Sequence, residues 1–321
     1  MLRNRLYYVL KPWLPISVRL GVRRWLALRK REQVRGTWPI LPGSEKPPAG
    51  WSGWPDNKRF ALVLTHDIES QVGLDRCEQL MELETQLGFR SAFNLIPENG
   101  YAATPKLRQD LTESGFEVGV HDLYHDGKLF LTKKEFSRNA IKINLYLKEW
   151  SAKGFRSAFM LQNLDWMHEL DIDYDTSTFD IDPFEPQPYG QGTIFPFWVP
   201  RADSLTASLE IPGASRNGYV ELPYTLPQDS TLFLLLQERQ SDIWFQKLDW
   251  IAERGGMALV NVHPDYMAFN GASPTAREYP AKHYQDLLMY VRSRYNGAYW
   301  NALPREVAAL VRAGRRQIRT V

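Results

Sequence analysis

The sequence predicts an α/β protein built on a mainly parallel sheet, either open or closed into a barrel. Two observations indicate this fold class. From Arg59 onward, apolar segments typical of strands alternate with segments of helical periodicity, as in proteins whose parallel sheet is covered by helices. In addition, a chain of 321 residues has the length of one α/β barrel of roughly 250 residues plus an extension.

The elements can be placed in order along the chain. The first strand, at residues 60–65, is a continuous apolar run, which is typical of a strand buried on both faces. Further strands are predicted at residues 90–96, 116–121, 155–159, 174–179 and 257–262, and helices at 74–87, 105–114 and 133–153. Residues 184–224 contain many Pro and Gly residues and are expected to form loops and short strands beside the cleft.

Composition narrows the range of functions. The 39 basic and 37 acidic residues leave a net charge of only +2, which argues against a nucleic-acid-binding protein because phosphate binding normally requires a large basic excess. Cys77 is the single cysteine, so the chain can form neither an intrachain disulfide nor a thiolate zinc site. Any bound metal must therefore use His, Asp or Glu.

Residues 1–50 are predicted to form a basic amphipathic extension and a Pro/Gly-rich linker, and residues 51–321 the catalytic domain. Residues 1–40 contain ten basic residues and one acidic residue. Val18, Val22, Trp25 and Leu28 recur at helical spacing within residues 16–31. Such a helix can lie on an anionic membrane face, or it can dock on the catalytic domain with its arginines in solvent. Both interpretations remain open here, and nucleic acid is not an expected partner.

The beginning of the sequence lacks the features of a signal peptide, since a short apolar run at residues 7–10 is followed by Lys11 and Pro12. No segment reaches the length of about 18 apolar residues that a membrane-spanning helix requires. We therefore expect a cytoplasmic protein. If residues 1–40 make a peripheral membrane contact, one of the two interpretations above, we expect it at the inner face.

Histidines and carboxylates cluster where the predicted strands end. These residues are His66, Asp67, Glu69, His121, His125 and His263. Because the carboxyl ends of parallel strands meet at one edge of a sheet, we expect these side chains to converge there. Two imidazoles, from His121 and His125, and one carboxylate, from Asp67 or Glu69, suit Zn²⁺ or a related divalent ion. The other carboxylate would then remain as a base.

Four segments together resemble the motifs of the polysaccharide deacetylases, the NodB-homology group of carbohydrate esterases. In chain order they are Thr65-His66-Asp67-Ile68-Glu69, His121-x-x-x-His125, Phe155-Arg156-Ser157-Ala158-Phe159 and Leu259-Val260-Asn261-Val262-His263. The resemblance covers residues 55–270. It implies a distorted, incomplete (β/α) barrel of about seven parallel strands. It also implies the hydrolysis of an acetyl or formyl amide with a divalent metal, which we expect to be Zn²⁺.

The resemblance also implies a role for each site residue. Asp67 corresponds to the catalytic base, Arg156 to the arginine that orients this base, and His263 to the histidine that protonates the leaving amine. The corresponding metal ligands are Glu69, His121 and His125. The implied substrate is an N-acetylated amino sugar of a polysaccharide or of a lipid-linked glycan.

Some positions depart from the family pattern. Ile68 separates two carboxylates where most members have adjacent aspartates, and His66 replaces an aromatic residue and adds a rival ligand. Phe159 ends the arginine motif, where its backbone N–H could serve the oxyanion. The carboxylate that orients the acid histidine is not evident. Asp175 and Asp180 are both candidates, and we prefer Asp180 because it lies at a predicted strand end.

Two other functions remain open for this sequence. One is the hydrolysis of a small non-sugar amide or formamide by the same site. The other is a catalytically inactive barrel that only binds its ligand. His168 and His283 lie in predicted helical stretches, and we expect them to be structural or exposed.

Overall fold

The structure, a computed structural model, describes residues 16–98, 100–201 and 217–319. Its strands are β1 (Phe60–Ile68), β2 (Ala92–Leu95), β3 (Glu117–His121), β4 (Gly154–Arg156), β5 (Tyr174–Asp175), β6 (Phe197–Pro200), β7 (Gly218–Glu221), β8 (Met257–Val262), β9 (Met267–Ala268), β10 (Tyr279–Pro280) and β11 (Tyr299–Asn301). Its α-helices are α1 (Ile16–Gln33), α2 (Gln71–Asp75), α3 (Cys77–Leu87), α4 (Pro105–Glu113), α5 (Lys133–Glu149), α6 (Asp242–Arg254), α7 (Lys282–Arg294) and α8 (Pro304–Arg319).

Nine of the described strands form one curved sheet around β1. One edge of β1 pairs in parallel with β8, and the other pairs with β11 at residues 60–62 and with β2 at residues 65–68. The sheet continues in parallel through β3, β4, β5 and β7 and ends at the antiparallel β6. Beyond β7, the N–H groups of Thr225 and Leu226 each donate to the carbonyl of Leu259 in β8 over 3.0 Å. The sheet is therefore an incomplete (β/α) barrel, as predicted.

The sheet differs from the prediction in detail. Eight of its described strands are parallel rather than about seven, and the short β11 was not predicted. The strand expected at residues 155–159 ends at Arg156, because the chain turns at Phe159, whose φ is +55°. β1 runs three residues further than predicted, to Ile68, so Asp67 lies inside the strand.

Alternate side chains of β1 pack on opposite faces of the sheet. Phe60, Leu62 and Leu64 belong to the apolar layer between the sheet and its helices, whereas Ala61 and Val63 pack inside the barrel. All nine positions of β1 are buried. This alternation directs the odd-numbered residues that follow, from residue 65 onward, toward the barrel interior.

Helix α1 docks beside the mouth of the barrel. Its Ala27 is buried, Arg24 Nε donates to the carbonyl of Leu234 over 3.0 Å, and Arg31 forms an ion pair with Glu238. Residues 1–15 of the predicted basic extension lie outside the described residues. The division of the chain at residue 50 stays a prediction.

The predicted linker packs against the barrel. Trp38 is buried with its ring 5.1 Å from that of Phe184, and Trp54 Nε1 donates to the carbonyl of Gly255 over 2.8 Å. Among the described residues, no helix is both long and apolar enough to cross a membrane.

Candidate active site

The end of β1 separates two histidine and carboxylate clusters on opposite faces of the sheet. His66 points to the helical layer, where its Nε2 lies 2.8 Å from Glu84 Oε1 and its ring contacts the ring of Tyr284. Asp67 points into the barrel instead. His66 is therefore outside the group of side chains that faces the cleft, and it does not compete for a metal there.

Three side chains inside the barrel mouth are close enough to hold one ion. Glu69, His121 and His125 offer one ligand atom each, and these atoms lie within 4.8 Å of one another. His125 Nε2 is 3.2 Å from Glu69 Oε1, and the two imidazole rings have centroids 4.9 Å apart. The structure thus brings together the three residues for which the sequence predicts metal binding.

The turn after β3 positions the two histidines. His121 Nδ1 lies 3.0 Å from the carbonyl of Arg156, so Nδ1 carries the proton and Nε2 is left with a free lone pair. Asp122 and His125 both have a φ of +55°, a left-handed conformation that sharp turns require. Asp122 accepts hydrogen bonds from the N–H groups of Leu123 and Ala158, which joins this turn to the one after β4.

The donor set fits a divalent metal. Among the described residues, the buried atoms His121 Nε2 and His125 Nε2 lack a hydrogen bond of good geometry, although His125 Nε2 lies 3.2 Å from the Glu69 carboxylate. Buried polar atoms normally have a partner, and two such nitrogens beside the Glu69 carboxylate form a set that a cation completes. Two imidazoles and a carboxylate suit Zn²⁺ or a related divalent ion, with further positions open for water and substrate.

Asp67 is held by two amide side chains that the sequence analysis missed. Asn94 Nδ2 in β2 donates to Asp67 Oδ1 over 2.8 Å, and Asn261 Nδ2 in β8 donates to Oδ2 over 2.7 Å. Both neighbouring strands therefore fix the carboxylate. Asn261 belongs to the segment Leu259–His263, the fourth of the motifs, so the sequence could have indicated it as a site residue. Asn94 lies in β2, which contains none of the four motifs, and no sequence signal indicated it.

Arg156 influences Asp67 by charge rather than by a hydrogen bond. Its Nε is 3.7 Å from Asp67 Oδ1, while its hydrogen bonds go to Thr65 and Thr176 over 2.9 Å each. Burial alone would raise the pKa of Asp67, but the charges of Arg156 and of the protonated His263 help to outweigh burial and hold the pKa below its ordinary value. The carboxylate is therefore ionised.

The partner of His263 is Asp229, and our preference for Asp180 was wrong. Asp229 Oδ1 lies 2.7 Å from His263 Nδ1, and Oδ2 accepts from the backbone N–H of His263 over 2.8 Å. Asp180 instead pairs with the buried Lys247 over 2.5 Å, and Asp175 bonds to Ser177. Asp229 immediately precedes the helix that begins at Ser230. An aspartate before a helix is a capping signal that the sequence could show, but this signal does not predict the contact with His263.

Charges around His263 favour its protonated form. Burial lowers the pKa of an imidazole, but Asp229 and the carboxylates of Glu69 and Asp67 outweigh burial and raise the pKa of His263 to about 10. Its Nε2 lies 3.9 Å from Glu69 Oε1 and 4.0 Å from Asp67 Oδ2. A proton donor and a proton acceptor thus face the same small volume.

These side chains lie in a cleft of about 650 Å³, a volume within the roughly 300–1,000 Å³ that is usual for small-molecule sites. Phe159, which is half exposed, forms part of the wall, and its ring covers His125 with 4.8 Å between centroids. Of the other histidines, His168 contacts Tyr219 and His283 stacks on Phe233, away from the cleft.

No protein-family model and no curated protein sequence matches this chain. Its structure is similar to that of a Mycobacterium smegmatis protein assigned as a polysaccharide deacetylase, with 17% identity, a TM-score of 0.61, and coverage of 84% of this chain and 96% of the other. It is also similar to 4-α-glucanotransferase from Thermococcus litoralis, with 13% identity, a TM-score of 0.51, and coverage of 78% of this chain and 40% of that enzyme.

Peptidoglycan deacetylase PdaC from Bacillus subtilis is a more distant match, with 11% identity, a TM-score of 0.45, and coverage of 83% of this chain and 98% of the other. Identities this low concern the fold alone. The similarity to the Mycobacterium smegmatis structure shows that the chain shares its fold. That protein is assigned to the polysaccharide deacetylases, the family that the four sequence motifs resemble.

Proposed function

We propose that this protein is a metal-dependent hydrolase that removes the N-acetyl group from an amino sugar of a polysaccharide or of a lipid-linked glycan. One observation carries the proposal. Glu69, His121 and His125 converge on a site for one cation, in the same cleft as the carboxylate of Asp67 and the imidazole of His263. Amide hydrolysis needs an activated water, a stabilised oxyanion and a proton for the leaving nitrogen, and the cleft offers a group for each.

Glu69, His121 and His125 would hold the metal, and we expect Zn²⁺. The metal supplies Lewis-acid activation of the amide carbonyl and of water. Asp67 accepts the proton of the attacking water, since it is ionised and lies in the cleft. The amide groups of Asn94 and Asn261 occupy one lone pair on each carboxylate oxygen and fix the direction of the remaining ones.

His263 delivers the proton to the leaving nitrogen from Nε2. Asp229 accepts from Nδ1 and fixes the ring orientation. Its negative charge also raises the pKa of His263, so Nε2 carries a second proton on the cleft side. Tyr279 donates to the same aspartate over 2.9 Å, which fixes the carboxylate in turn.

Replacing Asp229 with asparagine is expected to lower kcat roughly 10²-fold, because proton transfer from His263 loses its positioning partner. The pKa of His263 should fall when the carboxylate charge is removed. The basic limb of the kcat profile should therefore move to lower pH, which a purely structural role would not produce. Steady-state kinetics across pH measure both effects.

The matched control is Asp180→Asn, which also removes a buried carboxylate but lies beside Lys247. We expect it to lower the melting temperature and to leave the pH profile of the folded enzyme in place. The assignment of Asp229 would be refuted if Asp180→Asn moved the basic limb and Asp229→Asn did not.

The proposed reaction can be tested with purified protein and defined amides. N-acetylglucosamine oligomers, a formylated amino sugar and a small cyclic amide are incubated with protein carrying Zn²⁺, and the released amine is quantified. We expect amine release from the acetylated oligomers, with loss of the activity after chelation and recovery with Zn²⁺. Release from the cyclic amide alone, or a purified protein that neither retains nor binds a divalent metal, would refute the proposal.

We also propose that α1 contacts an anionic membrane surface. Four of its apolar side chains are 41–50% exposed, namely Val22, Trp25, Leu26 and Leu28. The guanidinium of Arg29 stacks on the Trp25 ring at 3.9 Å. A helix with exposed apolar and basic side chains binds at the level of lipid headgroups, which would place the cleft near a lipid-linked substrate.

The variant Trp25→Gln/Leu28→Gln is expected to reduce cosedimentation with phosphatidylglycerol vesicles roughly 10-fold or more, because two large apolar side chains no longer enter the lipid. Neither residue belongs to the docked side of α1 represented by Ala27, so the fold should persist. Membrane contact through these side chains would be contradicted if the variant bound phosphatidylglycerol vesicles as well as the unmodified protein does. Contact with an anionic surface would be contradicted if the unmodified protein bound phosphatidylcholine vesicles as well as phosphatidylglycerol vesicles.

A further inference from the structure

The catalytic cleft has basic side chains on its exposed side. Arg23 and Arg24 of α1 and Arg277, which precedes β10, line the same cleft as Asp67 and His263. Arg23 and Arg277 are exposed, and Arg24 is half-buried, whereas Asp67 and His263 are buried. The arginines therefore lie toward the cleft entrance, and the groups of the proposed reaction lie at its floor.

The three arginines differ in their ion pairing from other arginines of the described residues. In residues 16–98, 100–201 and 217–319, no carboxylate lies within salt-bridge distance of Arg23, Arg24 or Arg277, while Arg76 and Arg90 are paired with glutamates. The one side-chain hydrogen bond of the group runs from Arg24 Nε to the carbonyl of Leu234. This bond positions the guanidinium and leaves its two terminal nitrogens available.

Glu185, the one carboxyl group that the described residues place on the cleft wall outside the floor, does not offset these charges. Glu185 lies in the cleft wall, where it accepts hydrogen bonds from Tyr224 and Gln228. Burial and the charge of Asp182 raise the pKa of Glu185 to about 8, so this group is mainly neutral at pH 7. A cleft lined by guanidinium groups that have no carboxylate partner among the described residues favours a bound anion.

We propose that the substrate carries an anionic group, a phosphate or a carboxylate, which binds to Arg23, Arg24 and Arg277 while the N-acetyl group lies at the cleft floor. This inference rests on the proposed function and names the class of glycan. Guanidinium groups bind both anions through paired charge-assisted hydrogen bonds. With the anionic group at the entrance and the N-acetyl group at the floor, contacts at the two ends of the cleft would fix the orientation of the substrate.

Hydrolysis and binding are measured separately. N-acetylglucosamine 1-phosphate, a disaccharide of glucuronate and N-acetylglucosamine, and neutral N-acetylglucosamine oligomers are compared as substrates. Glucosamine 1-phosphate and glucosamine, which have no acetyl group to lose, are compared as ligands by calorimetry. We expect the charged compound to be hydrolysed at least about 10-fold more efficiently than the neutral oligomers, and glucosamine 1-phosphate to bind at least about 10-fold more tightly than glucosamine. Preference for the phosphate alone identifies phosphate, and an equal preference for the glucuronate compound identifies carboxylate as sufficient.

The variant Arg23→Gln/Arg277→Gln should reduce the preference for charged compounds to near unity in both assays. The control Arg29→Gln/Arg35→Gln removes the same two charges from outside the cleft and should retain the preference. Equal binding of glucosamine 1-phosphate and glucosamine by the unmodified protein would overturn the anion site. Arginine-dependent binding of glucosamine 1-phosphate without hydrolysis of any amide would support the anion site and refute the proposed reaction.

Discussion

Replacing Asp67 with asparagine is expected to lower kcat roughly 10²-fold or more while the protein keeps its metal, because the substitution removes a general base and not a ligand. The ligand atoms of Glu69, His121 and His125 lie within 4.8 Å of one another, and Asp67 is outside this group. The measurement is kcat on an acetylated oligomer together with the metal content of the same sample.

The substitution has a structural cost that the experiment must separate from catalysis. Asn94 and Asn261 each donate to one oxygen of Asp67, so the amide of an asparagine at this position would set one N–H group against another. Such a lost hydrogen bond costs about 1–3 kcal/mol of folding free energy. The melting temperature of the variant therefore serves as the control, and kcat is compared well below it.

Glu69→Gln is the paired variant, which we expect to lose metal affinity. If Asp67→Asn lost the metal and Glu69→Gln retained it, the two carboxylates would have exchanged roles. A fully active Asp67→Asn enzyme would show that Asp67 is not the general base of the reaction.

Replacing His125 with alanine is expected to abolish stoichiometric metal binding and, with it, activity. After the substitution, His121 and Glu69 are the only two proposed ligands that remain. Two protein ligands bind Zn²⁺ more weakly than three do. The substitution also removes the contact between His125 Nε2 and Glu69 Oε1 at 3.2 Å, so the melting temperature of the apo protein is measured beside metal binding. Elemental analysis after purification and calorimetric titration with Zn²⁺ measure the loss.

His283→Ala is the matched control, since it removes an imidazole that stacks on Phe233 outside the cleft. Its metal content should equal that of the unmodified protein. One metal per chain in His125→Ala, held with unchanged affinity, would contradict the proposed ligand set.

The sequence predicted those parts of the fold and site that depend on local patterns. The apolar run of β1 and the strand–helix alternation indicated a parallel sheet, and residues at strand ends indicated where side chains would meet. Pairing partners could not be predicted in the same way. Asn261 reaches Asp67 because β8 pairs with β1 in one particular register, and no local pattern encodes a register between strands that far apart in sequence.

The acid side of the site shows a second limit of sequence reasoning. Asp229 contacts His263 because a helix start after β7 is placed beside the end of β8. We selected Asp180 because it followed a strand, but the buried Lys247 occupies that carboxylate. Burial of a lysine at this position depends on packing of α6 against the sheet, which only three-dimensional coordinates reveal.

The position of β1 has a consequence for biosynthesis. Its partners β8 and β11 lie about two hundred residues downstream, and loops of this length close slowly. A ribosome-bound chain contains Glu69, His121 and His125 long before it contains His263. The β8 edge of β1 and His263 both await the last third of translation, so the three proposed cation ligands are synthesised well before the proposed proton donor.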